Sequence, residues 1–302
     1  MSVPARLNRF SHEAMTTFFE VILPGDDPTY AEQAANTVFS EIDRLEGLLS
    51  RFDPCSDVSQ INRLMPGQSI RVAPDVFECL SVAAWVYAET GGTFDVTIGP
   101  VMGYQAEVKK GKPFDKAAFD LARQKVGMRR LALDDSDFSV GIRTDAAGGV
   151  DIDLGGVGKG YALDKVADIL EEWGFASYLL NAGFSTVLAC GDGDKEGGWL
   201  VGVGGQWGKA AGIESVRLFN EALNGSGTEV KGTHIVDPVT GLPSKGHLAA
   251  WSICPSATAG DALSTAFMIM STEKVHALCA ANQAIGAFVV EPDGKLITIP
   301  KK

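Results

Sequence analysis

Between Thr29 and Arg51 apolar residues recur at intervals of three and four: Ala31, Ala34, Ala35, Val38, Phe39, Ile42, Leu45, Leu48 and Leu49. That spacing draws one stripe along a helical surface and predicts a long amphipathic helix. The preceding run, Met15 to Leu23, reads as a strand. A second helix is predicted from Pro74 through Val76, Phe77, Leu80, Ala83, Ala84 and Tyr87 to a stop at Gly91-Gly92, because proline suits a first helical turn and paired glycines end one. A third spans Asp115 to Lys125. Beyond Asp151 the texture changes to a glycine loop, a helix from about Gly160 to Trp173, and short β-like runs at Ser177 to Leu180, Thr186 to Cys190, Trp199 to Val203 and Val216 to Phe219. Ala259 to Met270 and Glu273 to Ala281 read as helices. A closing strand pair, Ala287 to Val290 and Leu296 to Ile299, is joined by the turn signal Pro292-Asp293-Gly294. Strands and helices follow one another without regular β-α-β alternation, so the fold class is α+β, with mixed, largely antiparallel sheets flanked by helices. There is no internal repeat. One domain over residues 1–302 is expected, with two lobes meeting near residue 145 as the alternative.

Composition narrows the function. The 302 residues carry 38 acidic and 26 basic side chains, a formal net charge of −12. A surface of that sign repels polyanions, so nucleic acid is excluded as a first partner, and any phosphate must be bound locally. Mean hydropathy is +0.08, and no apolar run reaches the roughly 18 to 20 residues that span a bilayer. The opening residues have no continuous apolar core of the kind a signal peptide needs, so the expected compartment is the cytoplasm, or outside it if a leader has been removed. Five cysteines, an odd number with no C-x-x-C pair, argue against a disulfide framework or a structural zinc site.

Three segments carry candidate chemistry. Asp153-Leu154-Gly155-Gly156-Val157-Gly158-Lys159-Gly160-Tyr161 precedes a helix, where glycine N–H groups can cradle an anion. Both the P-loop and the Rossmann spacing fail there. A tight strand-to-helix turn is the other reading. Around His234, the run Gly232-Thr233-His234-Ile235-Val236-Asp237-Pro238-Val239-Thr240-Gly241 would hold an imidazole beside a rigid turn, or simply bury a core histidine. Gly260-Asp261-Ala262-Leu263-Ser264-Thr265 sets Asp261 three and four residues ahead of two hydroxyls, all on one helical face. A carboxylate with hydroxyls is hard-oxygen chemistry suited to Mg²⁺, especially beside substrate phosphates. Otherwise Asp261 caps the helix.

These segments, with FSHEAMTTFFEV, LLSRFDPCSDVSQINR, GGTFDVTIGPVM, IDLGGVGKGYALDKV, LLNAG, THIVDPVTGLP and ATAGDALSTAFMIM in that order, resemble the ApbE family of FAD:protein FMN transferases over nearly the whole chain. The resemblance implies an ApbE-like, T-fold-like architecture. It also implies Mg²⁺-dependent cleavage of the FAD pyrophosphate, with FMN joined to a threonine of an acceptor flavoprotein and AMP released. By matching position, Asp261, Ser264 and Thr265 would be metal ligands together with the carbonyl of Gly158. Met15, Asn62, Thr93, Phe94, Asp95, Gly155, Tyr161, His234 and Ile235 would contact the flavin. Asp261 and His234 would be the catalytic pair, His234 accepting the threonine's proton. The chain departs from the family at Phe184, which stands where a second glycine is common, with no acidic residue after it. It departs again at Thr16, where the family has glycine. Two further readings use the same residues: an FAD pyrophosphatase giving FMN and AMP, and a flavin- or nucleotide-binding protein without turnover, the outcome expected if Phe184 spoils the pocket.

Overall fold

The computed structural model describes residues 6–146, 148–194, 196–204, 215–228 and 235–301. Strands β1 (Leu7–Ala14) and β2 (Thr17–Pro24) pair with Ala14 opposite Thr17, leaving Met15 and Thr16 as the whole turn. Both adopt positive φ, 48° and 60°, as a two-residue type I′ hairpin turn requires. The strand predicted from Met15 therefore begins two residues later, and Met15 sits in the turn. β1 escaped the hydrophobic pattern because it is an edge strand of mostly polar, outward-facing residues.

The predicted stripe forms α1 (Pro28–Leu49), its first N–H groups accepted by the Asp27 carboxylate and its apolar side chains buried. Then come α2 (Asp57–Ile61), β3 (Ser69–Arg71), α3 (Pro74–Glu89), α4 (Gly99–Lys109), α5 (Lys116–Gln124), β4 (Leu131–Asp134) and β5 (Ser139–Ile142). The second half holds α6 (Gly158–Glu172), β6 (Tyr178–Ala182), β7 (Thr186–Cys190), β8 (Trp199–Gly202), β9 (Ser215–Leu218), β10 (Glu221–Gly227) and β11 (Ala249–Cys254). It closes with α7 (Ala257–Phe267), α8 (Thr272–Ala281), β12 (Gly286–Val290) and β13 (Leu296–Ile299).

Eight strands form one sheet in the order β1-β2-β6-β7-β10-β11-β12-β13, beside a β3-β5-β4 sheet and a β8-β9 ribbon. Every ladder among the described residues is antiparallel, so the α+β class holds and its sheets are antiparallel throughout that set. Helices α1, α6 and α7 lie on the main sheet; Val38, Ile42, Leu163, Phe267 and Val289 are among the fully buried side chains they share with it. Each such side chain contributes about 1.5–3 kcal/mol over leaving it in water. Trp199, Val201 and Leu218 of the ribbon pack with Leu223 and Trp251 in a second apolar cluster.

Helices α6 and α7 approach each other closely. A Cβ on Gly160 would stand 2.5 Å from the Ala257 carbonyl carbon of α7, and on α7's sheet side one on Gly260 would stand 2.9 Å from the amide carbon of Asn224 in β10. Both glycines are there because nothing larger fits. Asp164 of α6 fastens the seam by accepting from the backbone N–H groups of Ala257 and Thr258 at 2.8 and 2.9 Å and from both Ser256 and Thr258 hydroxyls.

Candidate active site

The α6–α7 seam delivers a buried carboxylate to a cluster of hydroxyls. Asp261 is 3% exposed. Its oxygens receive the Lys159 ammonium at 3.0 and 3.1 Å, the Gly160 N–H at 3.2 Å and the Thr186 hydroxyl at 3.4 Å. The hydroxyls of Ser264 and Thr265 donate back to the Asp261 carbonyl one turn earlier, at 2.9 and 3.3 Å. With their protons directed into the helix, their lone pairs face outward, where Ser226 of β10 meets them at 2.9 and 3.3 Å. Asp261, Ser264 and Thr265 thus lie in α7 at the spacing that shares one helical face, with Ser226 joining the two hydroxyls and Thr186 the Asp261 carboxylate from the sheet. Asp261 is not a helix cap: Ser256 fills that role.

The glycine loop differs from the open N–H cradle expected of it. Gly155 N–H goes to the Asp153 carboxylate, those of Val157 and Gly158 to the Leu154 carbonyl, and that of Gly160 to Asp261. The helix begins at Gly158 and not near Gly160, which places Gly158 and Lys159 in its first turn. At that position a carbonyl feeds the helical ladder, so a ligand role for Gly158 rests on its second lone pair. Gly156 brings the loop close to the Phe94 ring and the Thr265 hydroxyl, since a Cβ there would stand 3.2 and 3.5 Å from them.

Other residues named from the sequence are engaged within the protein. The Asn62 amide donates to the Ile152 carbonyl at 3.2 Å and to Asp151, and its oxygen accepts the Ile152 N–H at 2.7 Å. It clamps the extended segment that leads into the glycine loop. Arg51 holds Asp151 and Asp153 through separate guanidinium nitrogens at 2.7 and 2.8 Å. Asp95, also buried, accepts the Thr97 and Met128 N–H groups and the Thr97 hydroxyl. Burial pushes its carboxyl above the usual range and these bonds oppose the shift. Tyr161 directs its hydroxyl to Glu78 and Asp75 of α3 at 2.8 and 3.2 Å. Burial first, and then these carboxylates, push its phenol upward. The Thr93 hydroxyl donates to the Thr90 carbonyl. Met15 is half-buried in its turn, Gly155 is exposed and Ile235 is buried.

His234 lies outside the described residues, as do Thr233 and Gly232. The turn after it is formed as foreseen: Asp237 accepts from Val239 N–H and the Thr240 hydroxyl at 2.9 Å each, and Gly241 closes it at φ 70°. Phe184 is fully exposed in the β6–β7 turn, so its ring projects to solvent and does not fill a pocket wall. Lys159, Thr186, Ser226, Arg51 and Asp164 were not singled out as site residues from the sequence. The signal available for all but Ser226 was their place in or beside the quoted motifs: Arg51 in LLSRFDPCSDVSQINR, Lys159 and Asp164 in IDLGGVGKGYALDKV, and Thr186 just after LLNAG.

Among the described residues, no three His, Cys, Asp or Glu side chains gather as a metal site, and no helix is long and apolar enough to cross a membrane. The donor set around Asp261 is one carboxylate and several hydroxyls. That composition fits a hard cation that takes the rest of its shell from substrate phosphate and water, and it does not fit a thiophilic metal.

Comparison with known proteins agrees with this architecture. The FAD:protein FMN transferase of Escherichia coli is 23% identical over 295 residues, covering 93% of this chain and 83% of the relative. That of Treponema pallidum is 27% identical over 289 residues, covering 87% and 78%. The crystal structure of the apo form of Pseudomonas stutzeri flavinyl transferase ApbE superposes with a TM-score of 0.82 at 26% identity, covering 100% of this chain and 98% of that one. The ApbE family model matches residues 15–289, and the chain belongs to the ApbE family.

Proposed function

We propose that this chain is a flavin transferase that cleaves FAD, joins FMN through a phosphoester to a threonine hydroxyl of an acceptor protein, and releases AMP. The observation that carries the reading is the convergence of Asp261, Ser264, Thr265 and Ser226 at the α6–α7 seam, beside a glycine loop, in a chain of this family. Mg²⁺ would be held by the Asp261 carboxylate, the Ser264 and Thr265 hydroxyls and the Gly158 carbonyl. When bound it would neutralise charge developing on the pyrophosphate oxygens and the departing AMP. The protein's own contribution is largely positioning. Phe94 supports the glycine loop from beneath Gly156. Asn62 and Arg51 fix the chain that enters the loop. Asp164 locks the start of α7 so that Asp261 keeps its depth. His234 would accept the proton from the threonine Oγ as that oxygen attacks phosphorus, a role for neutral imidazole near pH 7.

The test is incubation with FAD, Mg²⁺ and a threonine-bearing acceptor, followed by intact mass of the acceptor and assay of AMP. An FMN-sized increment matched by AMP is expected, and Asp261→Ala should abolish both. AMP without modification of any acceptor would make the protein a pyrophosphatase. Bound FAD with neither product would make it a carrier.

A further inference from the structure

Asp261 presents two oxygens with about four lone-pair positions, and among the described residues four contacts from three donor groups engage them. They differ in what they can do. The Gly160 N–H belongs to the backbone of α6 and cannot leave without moving that helix, and the Thr186 hydroxyl, buried on β7, is neutral and does not oppose a cation. Lys159 sits at the end of a flexible four-carbon stem with 19% of its side chain exposed, and its ammonium bridges both carboxylate oxygens. Among these described donors it is therefore the one that carries charge and has a stem long enough to withdraw. An ammonium and a divalent cation cannot share a single buried carboxylate without strong repulsion. A carboxylate at this depth with no cation at all would be costly.

We infer that Lys159 is an exchangeable counter-ion for Asp261: it occupies the carboxylate when no divalent cation is bound and yields it when one binds. This rests on the reading of Asp261 as a metal ligand. Lys159 is then a positioning residue that keeps the seam folded without metal and sets how strongly a cation must bind to open it. A purely structural salt bridge would make no such demand, because removing its lysine would leave cation affinity equal or lower.

The experiment measures Mn²⁺ binding by electron paramagnetic resonance, without FAD, for the wild-type protein, Lys159→Met, Lys159→Gln and Asp261→Asn. The Mn²⁺-induced rise in melting temperature is recorded for each. With the competing ammonium gone, both lysine variants should bind Mn²⁺ about tenfold tighter or better, equivalent to about 1.4 kcal/mol, and should show a larger melting rise than the wild type. A lysine variant that melts too low for titration is still read by that rise, since the cation then replaces the lost partner. Equal or weaker Mn²⁺ affinity in both lysine variants, with no larger melting rise, overturns the exchange. Asp261→Asn separates the two readings. If it binds Mn²⁺ as the wild type does, the assignment of Asp261 as ligand fails; if it loses binding while the lysine variants gain none, only the exchange fails.

Discussion

The α6–α7 seam can be tested by making one substitution at two helical glycines. Gly47 in α1 has nothing within 4 Å of where a Cβ would stand. Alanine there gains helix propensity of roughly 1 kcal/mol and meets no obstacle, so Gly47→Ala should raise stability by about 0.5–1 kcal/mol. Gly160→Ala carries the same intrinsic gain, but its Cβ would stand 2.5 Å from the Ala257 carbonyl carbon and 2.8 Å from the Thr258 nitrogen, with the carbonyl oxygen nearer still. Ordinary contact begins near 3.4 Å, so α6 and α7 must part by about 1 Å, and the obstacle is backbone that cannot rotate away. Overpacking of this kind costs roughly 1–3 kcal/mol or more, and with backbone as the obstacle the upper part of that range applies, so that after the propensity gain of roughly 1 kcal/mol the net loss is about 2 kcal/mol. The separation also pulls on the Asp164 bonds to Ala257 and Thr258 and on the Gly160 N–H to Asp261. Flavin transfer should therefore fall further than stability alone requires. Urea unfolding of the three proteins measures the first effect, and acceptor modification at a temperature where all are folded measures the second. If Gly160→Ala is as stable as Gly47→Ala and fully active, the close approach described here is wrong.

Further expectations concern parts of the molecule outside that seam. Thr16→Gly should raise the melting temperature, because a β-branched residue at φ 60° stores about 1–3 kcal/mol of strain against about 0.4–1 kcal/mol of added chain entropy; an unchanged transition in calorimetry would mean that the turn is relaxed. Arg51→Met should cost roughly 1–2 kcal/mol at neutral pH, a figure reduced for the partial exposure of Asp151. Burial raises the Asp151 carboxyl above its ordinary range, Arg51 opposes this and Asp153 adds to it. With Arg51 gone the folded-state value lies still higher, so the contribution favouring the fold is present at low pH and lost as pH rises through that value. The variant's deficit in urea should therefore shrink on acidification, and a pH-independent deficit would refute the charge argument. Of the five cysteines, Cys55 is exposed and Cys190 half-buried, while Cys79, Cys254 and Cys279 are buried. Burial pushes the Cys254 thiol up to about 12 and the Cys279 thiol up to about 11. A disulfide reagent should modify only Cys55 and Cys190 in the native protein, as peptide mapping would read, and fast reaction of any other cysteine would contradict its burial.

Elements with a strong hydrophobic period were legible in the sequence. α1 follows its stripe from end to end, and the closing hairpin pairs across the foreseen turn. Elements built from polar or small residues were not. β1 is an edge strand, β10 reads Glu-Ala-Leu-Asn-Gly-Ser-Gly, and α4 begins with glycine and proline. Burial of those small residues comes from the helices above them, a tertiary effect with no local periodicity. In the site, the helical face of Asp261, Ser264 and Thr265 was legible because its residues lie within five positions. The Lys159–Asp261 pair spans 102 residues, and only the true start of α6 brings the lysine into its first turn. Asn62, Asp95 and Tyr161 were marked through motifs, and a motif does not say which way a side chain points. Each makes bonds that shape the loops and helices near the site.

A buried carboxylate in a helix that must also pack tightly poses one physical problem with two parts: its charge needs partners, and its position needs to be held. This chain answers both from the first two turns of α6. Gly160 lets the helices approach until its N–H reaches Asp261, Asp164 ties down the start of α7 one turn further along, and Lys159 supplies the opposing charge. Gly160 and Asp164 are four residues apart and so share the face toward α7, while Lys159 reaches in from the edge of that face. The division has a mechanical consequence. Contacts that set geometry are made by backbone and a short side chain, whereas the contact that sets charge is made by a long, partly exposed side chain. Loss or rearrangement of the Lys159 contact would then leave the α6–α7 packing around Asp261 in place.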